Sequence, residues 1–361
     1  MGLNCGLIGL PSCGKTVIFN AITAAGASSY SGAEMNRVVV SIPDQRIDKL
    51  VEMYHPLKDG RSTLEVVDIA GIKASSTGDK HNTTLLGHIK DVDALLHVVR
   101  CFEDDSTPFE YETIDPARDV DLIDLEMVAA DSTTLENKIN RLAKKARAGD
   151  KDAVRETEDC QKVYAAIQQG IPARKQDLTA QELASIRECN LLSLKPALYV
   201  ANIKSTRDAA NAHVVALKRI ADAEGAEMIM VCGKDEADIS QLEPDEQRQF
   251  LQELGLKESL MERLLIAAYQ LLGLVNFFTT GEDEVRAWTC REGTKAPVAA
   301  GKIHKDMEKG FIRMEVIQYD DLIELGSEAA VARAGRQRTE SRDYEVKDGD
   351  IVVVRFNNAR G

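Results

Sequence analysis

GLPSCGKT, residues 9 to 16, is the stretch that decides the fold. It fits the pattern G-x-x-x-x-G-K-[S/T] in full. Asn4 to Gly9 (NCGLIG) before it reads as a short buried strand, and Val17, Phe19 and Ile22 after it recur at helical spacing. Strand, glycine-bearing loop and helix are the context the pattern requires. The glycines let the backbone wrap a phosphate chain, the N–H groups of Ser12 through Val17 point inward, and the helix N-terminus adds its positive dipole end. Lys15 is expected to bridge the β- and γ-phosphates and the Thr16 hydroxyl to ligate Mg²⁺. The expected phosphate-side contacts are therefore Gly9, Ser12, Cys13, Gly14, Lys15, Thr16 and Val17.

Asp68-Ile69-Ala70-Gly71 closes a β-rich run downstream. An Asp at that point can hold Mg²⁺ through water, and the Gly71 N–H can meet a γ-phosphate. Lys15, Asp68 and Gly71 are thus the expected catalytic set, with Thr16 and Asp68 the expected metal ligands. Ile72 follows, where Ras-like proteins carry a water-orienting glutamine. An isoleucine cannot orient water, so hydrolysis is expected to be slow; Lys73, Lys80 and His81 are the polar groups within the same loop. Further on, Asn202-Ile203-Lys204-Ser205 follows the apolar run ALYVA and stands where P-loop GTPases read guanine with Asn-Lys-x-Asp. The carboxylate that accepts from guanine is missing, whereas the Asn202 amide can donate and accept along a purine edge. Cys232-Gly233-Lys234, after the next strand pattern, takes the place of the base-flanking loop. Asn202, Ile203, Cys232 and Gly233 complete the expected nucleotide contacts.

The rest of the chain gives the frame. Val38 to Ile42, Thr63 to Ile69, Ala94 to Arg100, Ala197 to Ala201 and Met228 to Val231 are short apolar runs separated by helical or loop sequence. That predicts an α/β fold, a mostly parallel sheet with helices on both faces. From Ile123 to Gln169 strand signals stop, and Leu135, Ile139, Leu142, Ala146, Val154, Val163 and Ile167 keep helical spacing about a turn near Gly149. This predicts an inserted antiparallel pair of helices, a coiled-coil arm. From Asn276 short strands return and end in GDIVVVRF, a small α+β region with one or two helices. The expected domains are 1–122 with 190–275, 123–189, and 276–361. With 361 residues, two or three domains are the ordinary expectation, and 44% apolar with 29% charged content is that of a globular chain. No apolar run reaches membrane length, no basic stretch precedes the first apolar run as in a signal peptide, and the cysteines at 5, 13, 101, 160, 189, 232 and 290 show no paired spacing. A cytoplasmic protein with reduced thiols and no zinc site is expected.

GLIGLPSCGKT, VVDIAG, HVVRCFED, LYVAN, FLQELGL and EVRAWTCREGTKAPVAAGKIHKDMEKGFIRMEVIQYDDL together resemble the YchF/Obg-like ATPase family over nearly the whole chain. The tail, down to EVKDGDIVVVRF, resembles a TGS domain. The resemblance implies a G domain with a coiled-coil insertion and that C-terminal module. It also implies ATP hydrolysis and association with ribosomes or RNA. The chain departs from the family at Gly32, with Ser31 nearby, where the first switch usually has threonine, and at Ser205, where the purine-reading element usually has Glu. Its second switch, KASSTGDKHNTTLL, is one residue shorter. A GTPase of the same architecture, or a nucleotide-dependent binding module with little hydrolysis, stay open as alternatives.

A net charge of −14 argues against general coating of nucleic acid. Against that background Lys138, Arg141, Lys144, Lys145, Arg147 and Lys151 form a basic run with Asp150 the single acid among them, the expected contact for ribosomal RNA. Lys302, His304, Lys305, Lys309 and Arg313 make a weaker run diluted by acids, and Trp288 is expected to anchor the small domain's core. Cys13 lies close to a helix N-terminus, which would favour the thiolate, and oxidation there would block nucleotide entry, but this regulatory role is the lesser reading.

Overall fold

A computed structural model describes residues 3–24, 27–31, 36–69, 71, 80–104, 109, 111–205, 208–239, 242, 244–253 and 258–357. The chain opens with β1 (Asn4–Ile8), α1 (Lys15–Ala24), β2 (Ala27–Ser31), β3 (Asn36–Ser41), α2 (Gln45–Tyr54), β4 (Lys58–Gly60), β5 (Thr63–Asp68), α3 (Lys80–Lys90) and β6 (Ala94–Arg100). The arm follows as α4 (Pro116–Arg147) and α5 (Lys151–Ile167), then α6 (Ala180–Ile186), β7 (Ala197–Asn202), α7 (Ala212–Glu224), β8 (Met228–Val231), α8 (Gly233–Ile239), α9 (Pro244–Glu253) and α10 (Leu260–Leu271). The last stretch holds β9 (Leu274–Thr279), β10 (Glu284–Arg291), α11 (Ala296–Ile303), α12 (Lys305–Lys309), β11 (Phe311–Gln318), α13 (Tyr319–Leu325), α14 (Glu328–Arg333), β12 (Arg338–Glu340) and β13 (Asp350–Phe356).

Two compact units result: Met1–Val40 with Glu65–Ala268, and Ser41–Leu64 with Tyr269–Gly361. The first carries a seven-stranded sheet in the order β2-β3-β5-β1-β6-β7-β8. β1 pairs in parallel with β5 and β6, β6 with β7, and β7 with β8; β2 runs antiparallel to β3 at the edge. Every residue of β1, β6 and β7 is buried, the signature of strands covered on both faces.

The arm begins earlier than apolar spacing indicates. Asp115 caps α4 by accepting from Ala117 N and Arg118 N, and Pro116 occupies the first turn, where its missing N–H costs nothing. At the other end Asp150 caps α5 through Asp152 N and Ala153 N. Leu135, Leu142, Ala153, Cys160, Val163 and Ile167 pack between the two helices. Charges fix the arm's base: Arg174 Nη2 donates to both oxygens of Asp124 at 2.7 and 2.8 Å, Lys175 reaches Asp124 at 2.9 Å and Glu224 at 2.7 Å, and Tyr199 Oη donates to Glu224 at 2.8 Å. His97 on β6 lies beside this group, its ring 5.6 Å from that of Tyr199.

The second unit differs from the expected tail in two ways. Its six-stranded sheet, β12-β11-β13-β9-β10-β4, takes its last strand from Lys58–Gly60, and α2 joins its core through Ile47 and Leu50 against Phe278, Val285 and Ile351. Past Asn276, the described residues also hold four helices, α11 to α14, where the sequence suggests one or two. Trp288 is half-buried on the Phe277–Met314 core, its Nε1 donating to Thr279 Oγ1 at 2.9 Å and the Arg286 guanidinium stacked 4.4 Å over its ring.

Candidate nucleotide site

Between β1 and α1 the backbone turns through three unusual residues: Gly9 at φ 151°, Ser12 at 58° and Gly14 at 100°. Ser12 enters the left-handed region without being glycine, a conformation met where successive N–H groups converge on an anion. At Gly14 a Cβ would overlap the Asn202 amide, so the loop can approach β7 only because no side chain stands there. Lys15 is 7% exposed; its Nζ donates to Gly9 O at 3.0 Å and Leu10 O at 2.8 Å, with Cys13 Sγ at 3.8 Å. The ammonium is thus folded over the loop it serves. Thr16 is exposed on the first turn of α1, and Val17 is 45% exposed.

Facing Lys15 is the end of β5. Asp68 is half-buried, and the Asn36 side chain at the start of β3 hydrogen-bonds its carboxylate. Burial pushes the Asp68 carboxyl up from its ordinary range, against the opposing pull of the Lys15 charge and that hydrogen bond. A Cβ on Gly71 would lie 2.9 Å from Pro11 N and 3.2 Å from Lys15 Nζ, so any other residue would push against the phosphate loop. Lys15 on the one hand, and Asp68 and Gly71 on the other, are far apart in sequence and are neighbours in the fold. Asn36 is a member of this group that sequence reading missed; its partner lies on another strand, and no spacing rule links them.

The ends of β7 and β8 supply the other side. Asn202 is 5% exposed and its Nδ2 donates to Cys13 O at 2.9 Å, leaving one N–H and the carbonyl oxygen of the amide for other work. Ile203 and Cys232 are buried in the core between β7, β8 and α7, so their side chains belong to that core. Gly233 opens α8 hard against Val17: a Cβ there would stand 2.9 Å from Val17 Cγ1. Cys13 lies inside the loop itself. It is 1% exposed, and burial drives its thiol up despite the nearby Lys15, so a reactive thiolate does not form. All seven cysteines are free and buried. Gly32, Ile72 and Lys73 lie outside the described residues, as do the side chains of Ser31, Lys80, His81 and Lys234.

Lys138 departs from its expected role. It is 5% exposed, donating to Ser185 O at 2.6 Å and paired with Glu156 at 2.6 Å, because it sits on the face of α4 that meets α5 and α6. Arg141, Lys144, Lys145, Arg147 and Lys151, by contrast, are exposed.

An anion cradle at the carboxyl edge of a mostly parallel sheet, with a lysine folded over it, defines a P-loop nucleoside triphosphatase of the GTPase-domain class. Residues 4–145 match the family model described as 50S ribosome-binding GTPase, and residues 274–357 match the YchF-GTPase_C model, described as a protein of unknown function (DUF933). The "Ribosome-binding ATPase YchF" of Bacillus subtilis (strain 168) is 43% identical over 365 residues, covering 99% of this chain and 100% of that protein. The protein of that name from Escherichia coli O157:H7 is 42% identical over 362 residues, with 99% and 100% covered. The structure of the Schizosaccharomyces pombe YchF GTPase superposes with a TM-score of 0.87 at 32% identity, over 98% of each chain. The chain belongs to the YchF family. Among the described residues no helix is long and apolar enough to cross a membrane.

Proposed function

We propose that the chain is a slow, Mg²⁺-dependent ATPase that acts as a cytoplasmic switch on the ribosome. The observation that carries this is the convergence of Lys15, Asp68 and Gly71 on the loop Gly9–Thr16. In this reading the N–H groups of Ser12 to Val17 hold the phosphate chain, Lys15 leaves its two carbonyls for the β- and γ-phosphates, and the Gly71 N–H meets the γ-phosphate. Thr16 and, through water, Asp68 would hold Mg²⁺. Among the described residues no three His, Cys, Asp or Glu cluster into a metal cage, which suits an ion that takes most of its shell from phosphate and water. When bound, the ion neutralises charge on the phosphate oxygens. Water then attacks in line, and the fixed donors stabilise the charge that develops.

Relatives named ATPases favour ATP over GTP, and Asn202–Ser205 has no carboxylate to accept from guanine. Arg141, Lys144, Lys145, Arg147 and Lys151 on the arm, helped by the exposed Lys302, Lys305, Lys309 and Arg313 of the TGS-like tail, are the surface for ribosomal RNA. Relatives named ribosome-binding ATPases support that choice of partner. Calorimetric titration with ATP and GTP analogues in Mg²⁺, followed by multiple-turnover phosphate release, tests the reading. Tighter ATP binding that Lys15→Ala abolishes is expected. Unchanged affinity in that variant would overturn the site, and tighter GTP binding would overturn the choice of base.

A further inference from the structure

The stretch of chain between β3 and β5 folds with the other unit. β3 starts at Asn36, which bonds Asp68, and β5 ends at Asp68 itself; between their far ends lies Ser41–Leu64, part of the second compact unit. Both ends of that stretch are gripped by one side chain. Asn276, on β9 and 3% exposed, donates from Nδ2 to Asp44 Oδ2 at 3.0 Å and accepts from Ser62 Oγ at 2.7 Å. Around this clasp Arg46 joins Asp44 at 2.9 Å to Asp348 at 2.6 Å, Asn276 N donates to Asp348 at 2.8 Å, and Leu57 N donates to Glu282 O at 3.0 Å. Ile47 and Leu50 are fully buried in the same core. No glycine occurs from Asn36 to Asp44 or from Ser62 to Asp68, and Pro43 stiffens the first leg. The legs are strand over Asn36–Ser41 and Thr63–Asp68, with only Ile42 to Asp44 and Ser62 between strand and clasp, so little chain is left to absorb a shift at Asn36 or Asp68.

We infer that Asn276 is a positioning residue for the nucleotide site, holding both legs of the Ser41–Leu64 stretch so that a γ-phosphate at Asp68 and the state of the C-terminal unit are coupled. This rests on the reading of Gly9–Thr16 and Asp68 as that site. The coupling is reciprocal: what stabilises the clasp strengthens triphosphate binding, and triphosphate stabilises the clasp. A buried asparagine is suited to the task, since its amide donates to one leg and accepts from the other at once.

The full chain is titrated in Mg²⁺ with ADP and with a non-hydrolysable ATP analogue, as wild type, Ser62→Ala and Asn276→Ala, and hydrogen exchange is followed in both nucleotide states. Comparing triphosphate with diphosphate cancels the general stabilisation that any bound ligand gives. The expected result is slower exchange across Ser41–Leu64 and β9 with the triphosphate than with ADP. Both variants are expected to lower the preference for triphosphate over diphosphate by about fivefold or more, with ADP affinity nearly unchanged. Ser62→Ala keeps the Tyr269 hydrogen bond to Asn276 and serves if Asn276→Ala does not fold. A preserved preference in the folded variants, or identical exchange in the two nucleotide states, overturns the coupling while leaving the site intact. A wild-type chain that binds neither nucleotide overturns the site reading and the coupling with it.

Discussion

The two ends of helix α4 carry charge in opposite ways. Near its start Asp124 is buried and shares Arg174 and Lys175 with Glu224. Toward its end Arg141, Lys144, Lys145 and Arg147 stand in solvent. Lys138 lies one turn from Arg141 and belongs to the first kind, because its position on the helix turns it toward Glu156 and Ser185. The lesson is that a basic run in sequence mixes groups that hold the arm together with groups free to meet a polyanion. Which is which depends on helix face.

The largest effect is expected at the base. Arg174→Ala removes the main partner of a buried carboxylate, and leaving Asp124 under-paired costs about 3–5 kcal/mol, read as a lower urea midpoint. His97 comes next. Burial, then the Arg174, Lys15 and Lys175 charges, hold its ring well below the ordinary histidine value, at about 4, with Asp124 pulling the other way. A depressed value means that the neutral ring's stability is present above pH ~6.5 and is lost as pH falls through ~4. That window holds about 3 kcal/mol, and His97→Phe should flatten the loss of stability between pH 6.5 and 4. Lys138→Met is expected to cost about 1–2 kcal/mol, since Glu156 is partly exposed and can take up water in place of the ammonium. At the tip, the combined Arg141→Gln, Lys144→Gln, Lys145→Gln and Arg147→Gln chain should lose less than about 0.5 kcal/mol per site in stability. Its co-sedimentation with ribosomes should nonetheless weaken and its salt dependence flatten. A tip variant that unfolds, or a Lys138→Met chain that alone loses ribosome binding, would break the contrast between the two ends.

Much of the site was legible because phosphate chemistry is local. Gly9 to Thr16 is one uninterrupted stretch in which Gly9, Ser12 and Gly14 make the turn that Lys15 folds over, and β1 before it is buried throughout. Asp68 and Gly71 were legible for the same reason, as the end of a β-rich run and a glycine just past it. What stayed hidden depends on partners brought by other strands. Asn36 shows no signal of its bond to Asp68, and Asn202 gives no hint that half of its amide braces the Cys13 carbonyl. Cys13 makes a related point: nearness to a helix N-terminus favours a thiolate, but burial outweighs it, and burial is invisible in a linear motif.

By itself, then, the sequence determined the phosphate loop, the alternation of buried strands with helices, and the two-helix arm, all set by patterns within a few turns of chain. Only the tertiary structure decided that Ser41–Leu64 joins the C-terminal unit, that Lys138 faces inward, and that Asn276 grips both Asp44 and Ser62. The physical reason is one of range. Turn geometry and helical or strand period are written in neighbouring residues, whereas burial and hydrogen-bond partnership arise when distant segments exclude water together.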